Sequence, residues 1–170
     1  MRLIGLAGWS GSGKTTLITA LVPLLIGRGQ TVSTIKHAHH SFDVDRPGKD
    51  SHVHRQAGAR EVLIASAHRW ALMHEHRGAP EPDLRALITH LEPVDLVLVE
   101  GFKHQPHPKI EIHRAVVGKP LLYPGDPHIV AIASAPPMPD APIPSCDLNQ
   151  IDVIADFVDR LAVAPDVLGW

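Results

Sequence analysis

Residues 8–16 read GWSGSGKTT, directly after the apolar run RLIGLA. Gly8, four residues, then Gly13, Lys14 and Thr15 match the pattern G-x-x-x-x-G-K-[ST], whose mechanism needs a strand before it and a helix after it. Both flanks comply. Arg2 to Ala7 is a compact apolar run, and from Thr15 to Arg28 apolar residues recur at helical spacing up to the stop GRG. Gly8, Gly11 and Gly13 let the backbone turn so that successive N–H groups point inward at phosphate oxygens, and the helix N-terminus adds its dipole. Lys14 is then placed for the β and γ phosphates and the Thr15 hydroxyl for Mg²⁺. A glycine-rich turn without a ligand is the plainer alternative; it does not explain why strand, lysine and hydroxyl all fall where a phosphate loop needs them.

A metal held by one hydroxyl and phosphates also needs a carboxylate. VDLVLVEGF (residues 94–102) has the continuous apolar character of a strand buried on both faces, and it ends in Glu100 and Gly101. Ligands of open α/β sheets sit beyond the C-terminal strand ends, so Glu100 is expected to meet the glycine loop there, with Gly101 permitting close backbone approach. Glu is longer than the Asp usual in this role, and a carboxylate meeting solvent is the competing reading.

The remaining chain supplies the expected architecture. TVSTIK (31–36) and HIVAIAS (128–134) read as strands, the latter central, and EVLIAS (61–66) with RWALMHE (69–75) as a strand pair. KIEIHR (109–114) alternates, as a more exposed strand would. Helices are expected near 50–57, over 80–91 with Pro82 in the first turn, and over 149–161 with Asp147 and Gln150 as a capping box. Pro23 predicts a kink or shortening of the first helix. Five prolines between Pro136 and Pro144 mark residues 136–146 as a loop before the last helix. Alternating strands and helices predict one α/β domain over residues 1–170, a mainly parallel sheet with helices on both faces and an antiparallel edge.

Composition narrows the partners. Of 170 residues 44% are hydrophobic, enough for a sizeable core, but only three Phe, three Trp and one Tyr contribute aromatics. Sixteen Lys and Arg against eighteen Asp and Glu give no basic excess that would make nucleic acid the default partner. Cys146, the single cysteine, cannot form an internal disulfide or a multi-cysteine zinc site. With no signal-peptide or membrane-spanning pattern, a soluble cytoplasmic protein is expected.

The loop KHAHHSFDVDRPGKDS (36–51) leaves the second strand at the same sheet edge. Lys36 ends that strand and is a candidate second cation against the phosphates. Asp50 or Asp45 could add a carboxylate to Mg²⁺, directly or through water. Asp50 is favoured because it abuts the expected helix start, where its competing role is an N-cap. His37, His39 and His40 could contact an anionic ligand, bind a transition metal or be solvated; they lack the i, i+4 spacing that puts two imidazoles on one helix face. NQID (149–152) is a near miss to a guanine-reading N-K-x-D loop, and helix capping explains it as well.

The phosphate loop, this polar loop, RQAGA and LVLVEGFK, in that order, resemble the MobB family of adaptor proteins in molybdopterin-guanine dinucleotide biosynthesis, over about residues 2–134. The resemblance implies a P-loop NTPase-like fold, GTP binding with at most slow hydrolysis, and dimerisation. It also implies partnership with the MobA guanylyltransferase, which attaches GMP to the molybdopterin cofactor. It places phosphates on Gly11, Ser12, Gly13, Lys14, Thr15 and Thr16, with Ser10 in the same loop, and magnesium near Thr15 and Glu100. It brings the loop from Lys36 and His37 to Asp50 onto the functional face. AIASAPP departs from the Asp-ending version of its strand. KIEIHR and RWALMHE are the candidate dimer strands.

Two other functions use the same motif. GWSGSGKTT also resembles the phosphate loop of uridine and pantothenate kinases, which should carry an arginine-bearing lid and a base beside the acceptor; only AHRWALMHEHRG could supply a lid. A nickel-delivery GTPase would use the histidines, but the expected cysteine-bearing metal motif is missing.

Overall fold

Strand β1 (Arg2–Ala7) lies inside a six-stranded sheet because its side chains are apolar on both faces. The computed structural model describes residues 1–38 and 42–170, in two compact units: Met1–His37 with Asp83–Trp170, and Ala38–Pro82.

In the first unit β1 is flanked by β5 (Leu96–Glu100) and β6 (Lys109–Arg114). β2 (Val32–Lys36) lies beyond β5, while β7 (Ile129–Ala135) and β8 (Ser145–Asp147) lie beyond β6. Every pairing in this sheet is parallel. Alternation divides the core. Ile4, Leu6, Leu98, Ile110 and Ile112 pack with Leu17, Leu21 and Leu25 of α1 (Lys14–Gly27) and with Ile154 and Val158 of α4 (Ile151–Leu161). Leu3, Val97 and Val99 face the other way, against Leu84 and Ile88 of α3 (Leu84–Ile88) and Phe102. Helices therefore cover both faces, as alternating β and α segments require. α1 runs through Pro23 to Gly27, so the expected shortening does not occur: Leu21 and Leu25 on either side of the proline are fully buried and hold the helix to the sheet.

Five expectations are corrected. The antiparallel pairing is not an edge of the main sheet but a separate two-stranded sheet in the second unit. KIEIHR is no exposed strand: β6 lies between β1 and β7, and Lys109 and Glu111 are buried. Their charges are matched by the segment after β6. The Lys109 ammonium lies 3.1 Å from Asp126, and Glu111 accepts the backbone N–H groups of Leu122 and Tyr123 at 2.8 and 2.9 Å. The proline-rich segment ends in β8, an edge strand in which Cys146 is buried. Asp147 and Gln150 form no capping box; Asp147 Oδ1 instead accepts from the backbone and side-chain nitrogens of Asn149, and Gln150 precedes α4 without a side-chain cap. α3 is one short turn-and-a-half element capped by Asp83, whose carboxylate accepts the Ala86 N–H at 2.8 Å; Pro82 lies just before that cap.

Glu111→Gln should lower stability by about 2 kcal/mol in urea titration, because an amide can no longer accept from both backbone donors and one is left unpaired. A loss below about 0.5 kcal/mol would mean that the carboxylate does not hold this segment.

In the second unit, α2 (Asp50–Gln56) accompanies the ribbon of β3 (Glu61–Ala65) and β4 (Trp70–His74). Arg55 of α2 gathers three carboxylates, Asp43 at 2.7 Å, Asp45 at 2.8 Å and Glu75 at 3.3 Å, so one guanidinium fastens the segment before α2 and the end of the ribbon. Among the described residues no helix is long and apolar enough to cross a membrane.

Candidate functional site

β1 delivers the chain into the glycine loop at the C-terminal edge of the sheet. There the connections from β1 and β5 run to opposite sides, the position where open parallel sheets take ligands. Gly8, Gly11 and Gly13 have φ of 151°, 82° and 95°, values that L side chains rarely adopt. Gly8 has a second reason to be glycine: a Cβ there would stand 2.5 Å from the Ile112 carbonyl oxygen of β6. Ser10, Gly11, Thr15 and Thr16 are exposed around the turn, while Ser12 is buried with its Oγ unpaired by any described group. The loop thus presents a glycine turn and a buried hydroxyl at the mouth of α1, whose first residue is Lys14.

Lys14 Nζ donates to the carbonyls of Gly8 and Trp9 at 3.0 and 2.9 Å. Burial lowers the ammonium's pKa from the ordinary lysine value; Glu100 opposes that shift, and the like charges of Lys103 and Lys36 add to it. Opposite it, Thr15 Oγ1 lies 3.3 Å from Glu100 Oε1, which in turn is 3.6 Å from Lys36 Nζ. Register explains this meeting: the parallel ladders align Glu100 with Leu6 on one side and Lys36 on the other. A hydroxyl, a carboxylate and two ammonium groups from three chain segments therefore converge at one sheet edge.

His37 continues from β2 and donates its N–H to the Glu100 carbonyl at 2.8 Å. Its ring is 4.7 Å from that of Phe102. Gly101, at φ 98°, must be glycine because a Cβ would lie 2.7 Å from His37 Cβ. The close approach expected of Gly101 is thus to a neighbouring strand end. Asp50 is the first residue of α2 in the second unit, exposed, with Lys49 as the N-cap; it is not the N-cap itself. His39 and His40 lie outside the described residues. Among the described residues no three His, Cys, Asp or Glu side chains are grouped to hold a metal ion.

Three residues here were not singled out by sequence reading. Arg114, at the end of β6, donates from Nε to the Ser12 carbonyl at 3.2 Å and lies against Gly13. Trp9 hydrogen-bonds through Nε1 to the Pro120 carbonyl at 2.7 Å, and Lys103 stands 5.0 Å from its ring. The only local signal was an aromatic residue inside a glycine loop; the partners of Trp9 and Arg114 are about a hundred residues distant.

Comparison with known proteins decides the family. The family model described as molybdopterin guanine dinucleotide synthesis protein B matches residues 3–135. The chain belongs to the MobB family. It is 44% identical over 159 residues to the molybdopterin-guanine dinucleotide biosynthesis adapter protein of Escherichia coli (strain K12), covering 92% of this chain and 90% of that protein. The adapter protein of Haemophilus influenzae is also 44% identical, over 158 residues, with 93% and 88% covered. Among solved structures, a crystal structure of molybdopterin-guanine biosynthesis protein B superposes with a TM-score of 0.70 at 26% identity, over 94% of this chain and 99% of that one. The Bacillus subtilis MobB structure, at 24% identity and a TM-score of 0.71, shows the shared α/β fold. Membership in the MobB family covers both the glycine loop and the strand that ends in Glu100.

Proposed function

We propose that the chain is a GTP-binding adapter of molybdenum cofactor biosynthesis, with a P-loop NTPase-like nucleotide site and at most slow GTP hydrolysis. The observation that carries the reading is the 3.3 Å approach of Thr15 Oγ1 to Glu100 Oε1 beside Lys14. The residues fit a nucleotide and its metal: the glycine turn and the unpaired Ser12 hydroxyl suit phosphate oxygens, and a hydroxyl with a carboxylate is the hard-oxygen pair that Mg²⁺ prefers. Gly8, Ser10, Gly11, Ser12, Gly13, Lys14, Thr15 and Thr16 would hold the phosphates, with Lys36, His37 and Gly101 forming the adjoining wall. Thr15 and Glu100 would hold Mg²⁺; Asp50, in the second unit, is not carried into this pair. Bound Mg²⁺ would neutralise phosphate charge.

The partners in this reading are a MobA-type guanylyltransferase and molybdopterin, in keeping with the names of the relatives. A homodimer is part of the same proposal, through the second unit's ribbon. Leu63 and Leu72 are cross-strand partners, Trp70 pairs with Ala65 on the same face, and all three large side chains are exposed. KIEIHR, interior to the main sheet, is not carried forward as a dimer strand.

Calorimetry with GTP and ATP, each with and without Mg²⁺, tests the site. GTP should bind more tightly than ATP, and Mg²⁺ should strengthen it. In Glu100→Gln the Mg²⁺ enhancement should fall about ten-fold or more, since a neutral amide is a poor ligand for a hard dication. Tight ATP binding with phosphate transfer to a small acceptor would favour a kinase, and an unchanged Mg²⁺ effect in Glu100→Gln would remove the carboxylate from the site.

A further inference from the structure

A cleft of about 600 Å³ opens in the first unit beside the glycine loop, lined by Ala7, Trp9, Lys103, Leu122, Gly125 and Asp126 among others. That volume suits a small organic ligand. Its walls are fixed by buried polar contacts. Glu111, fully buried, accepts the N–H groups of Leu122 and Tyr123, and Asp126 is held by Lys109 at 3.1 Å and by His128. The opposite wall leaves β5 through Gly101 and Phe102, and Phe102 takes a left-handed φ of 48°, rare for an aromatic residue. That turn places Lys103 in the cleft.

The Trp9 indole is pinned by its Nε1 bond to Pro120 O and flanked by two ammonium groups, Lys103 at 5.0 Å and Lys119 at 5.8 Å from the ring centroid. Among the described residues neither ammonium has a carboxylate partner. The one acidic side chain in the lining, Asp126, is already neutralised by Lys109. A rigid aromatic face with two uncompensated cations and an apolar flank from Leu121 and Leu122 matches a flat ring carrying a negative charge.

We propose that this cleft is a second ligand site, next to the phosphate loop, for a planar heterocycle bearing a phosphate: the ring lies on Trp9 and the phosphate is held by Lys103 and Lys119. The site deepens the proposed function, since it rests on the glycine loop taking the nucleotide while the cleft takes a different molecule.

The probe is flavin mononucleotide, with riboflavin as its phosphate-free counterpart, each titrated by flavin fluorescence against the full chain, with and without saturating GTP·Mg²⁺. Flavin mononucleotide should bind saturably, at least ten-fold more tightly than riboflavin, and GTP should leave it bound. Lys103→Ala combined with Lys119→Ala should weaken flavin mononucleotide ten-fold or more, and Trp9→Ala should weaken both flavins, with thermal melts confirming that the variants fold. No saturation up to millimolar probe, equal affinity in the double lysine variant, or complete displacement by GTP overturns the proposal, the last by placing the probe in the phosphate loop. GTP affinity measured alone separates the two readings: its absence with flavin mononucleotide still bound counts against the nucleotide site and not against the cleft.

Discussion

Replacing Lys14 with Ala should lower affinity for GTP·Mg²⁺ roughly a thousand-fold while the protein stays folded. The size follows from two charge-assisted hydrogen bonds to phosphate oxygens at about 2 kcal/mol each, and each 1.4 kcal/mol is a factor of ten in affinity. Stability should hardly change, because Lys14 is held at a cost. Burial and the like charges of Lys103 and Lys36 disfavour its protonated form, against the attraction of Glu100. Its bonds to the Gly8 and Trp9 carbonyls are intraloop contacts on a half-buried side chain. Calorimetry of the variant, paired with thermal melts without nucleotide, separates the two effects. Affinity within three-fold of the parent protein would dissolve the assignment of the loop. A large drop in melting temperature would instead make Lys14 a structural residue.

The strand, glycine turn and helix were legible because the unit is local: backbone turn, cation and hydroxyl occupy consecutive positions, and the strand and helix flanking them have simple apolar patterns. Glu100 was legible for the related reason that a continuous apolar strand must end at a sheet edge, and the ladder register then sets it beside Lys36 and Leu6. The failures share a cause of opposite kind. KIEIHR alternates as a half-exposed strand does, yet its polar residues are matched by Asp126 and by the amides of Leu122 and Tyr123, partners that no local pattern announces. Trp9 and Arg114 carry little local signal because their significance lies in contacts with Pro120, Lys119 and Ser12, made only when β1 and β6 lie side by side. The expected capping box had the right residue types, but Asp147 turned to Asn149 instead. The prolines also hid β8, since a three-residue strand carries too little pattern to rise above five of them.

Stability should fall steeply between pH 6.5 and pH 4, and His107 should account for about 3 kcal/mol of that fall. The ring is fully buried against Gly5, so close that a Cβ on that glycine would lie 2.5 Å from Nε2, and neither ring nitrogen is paired with a described group. Burial, reinforced by the Lys109 ammonium and by His128 and opposed by the Gln105 backbone and Asp126, pushes its pKa down to about 4. Unfolded, the same imidazole titrates near 6.5. Between those values the unfolded chain binds a proton that the folded chain refuses, so the stability of the folded state rises with pH across the window and is lost as pH falls through it. A displacement of about 2.5 pKa units at 1.36 kcal/mol each gives the quoted size. The measurement is a difference, so that contributions common to both proteins cancel. Urea unfolding of the parent protein and of His107→Leu at several pH values should give a shallower slope for the variant, whose stability relative to the parent rises by about 3 kcal/mol as the pH drops from 6.5 to 4. Parallel curves would show that His107 is not the residue that makes the fold acid-labile.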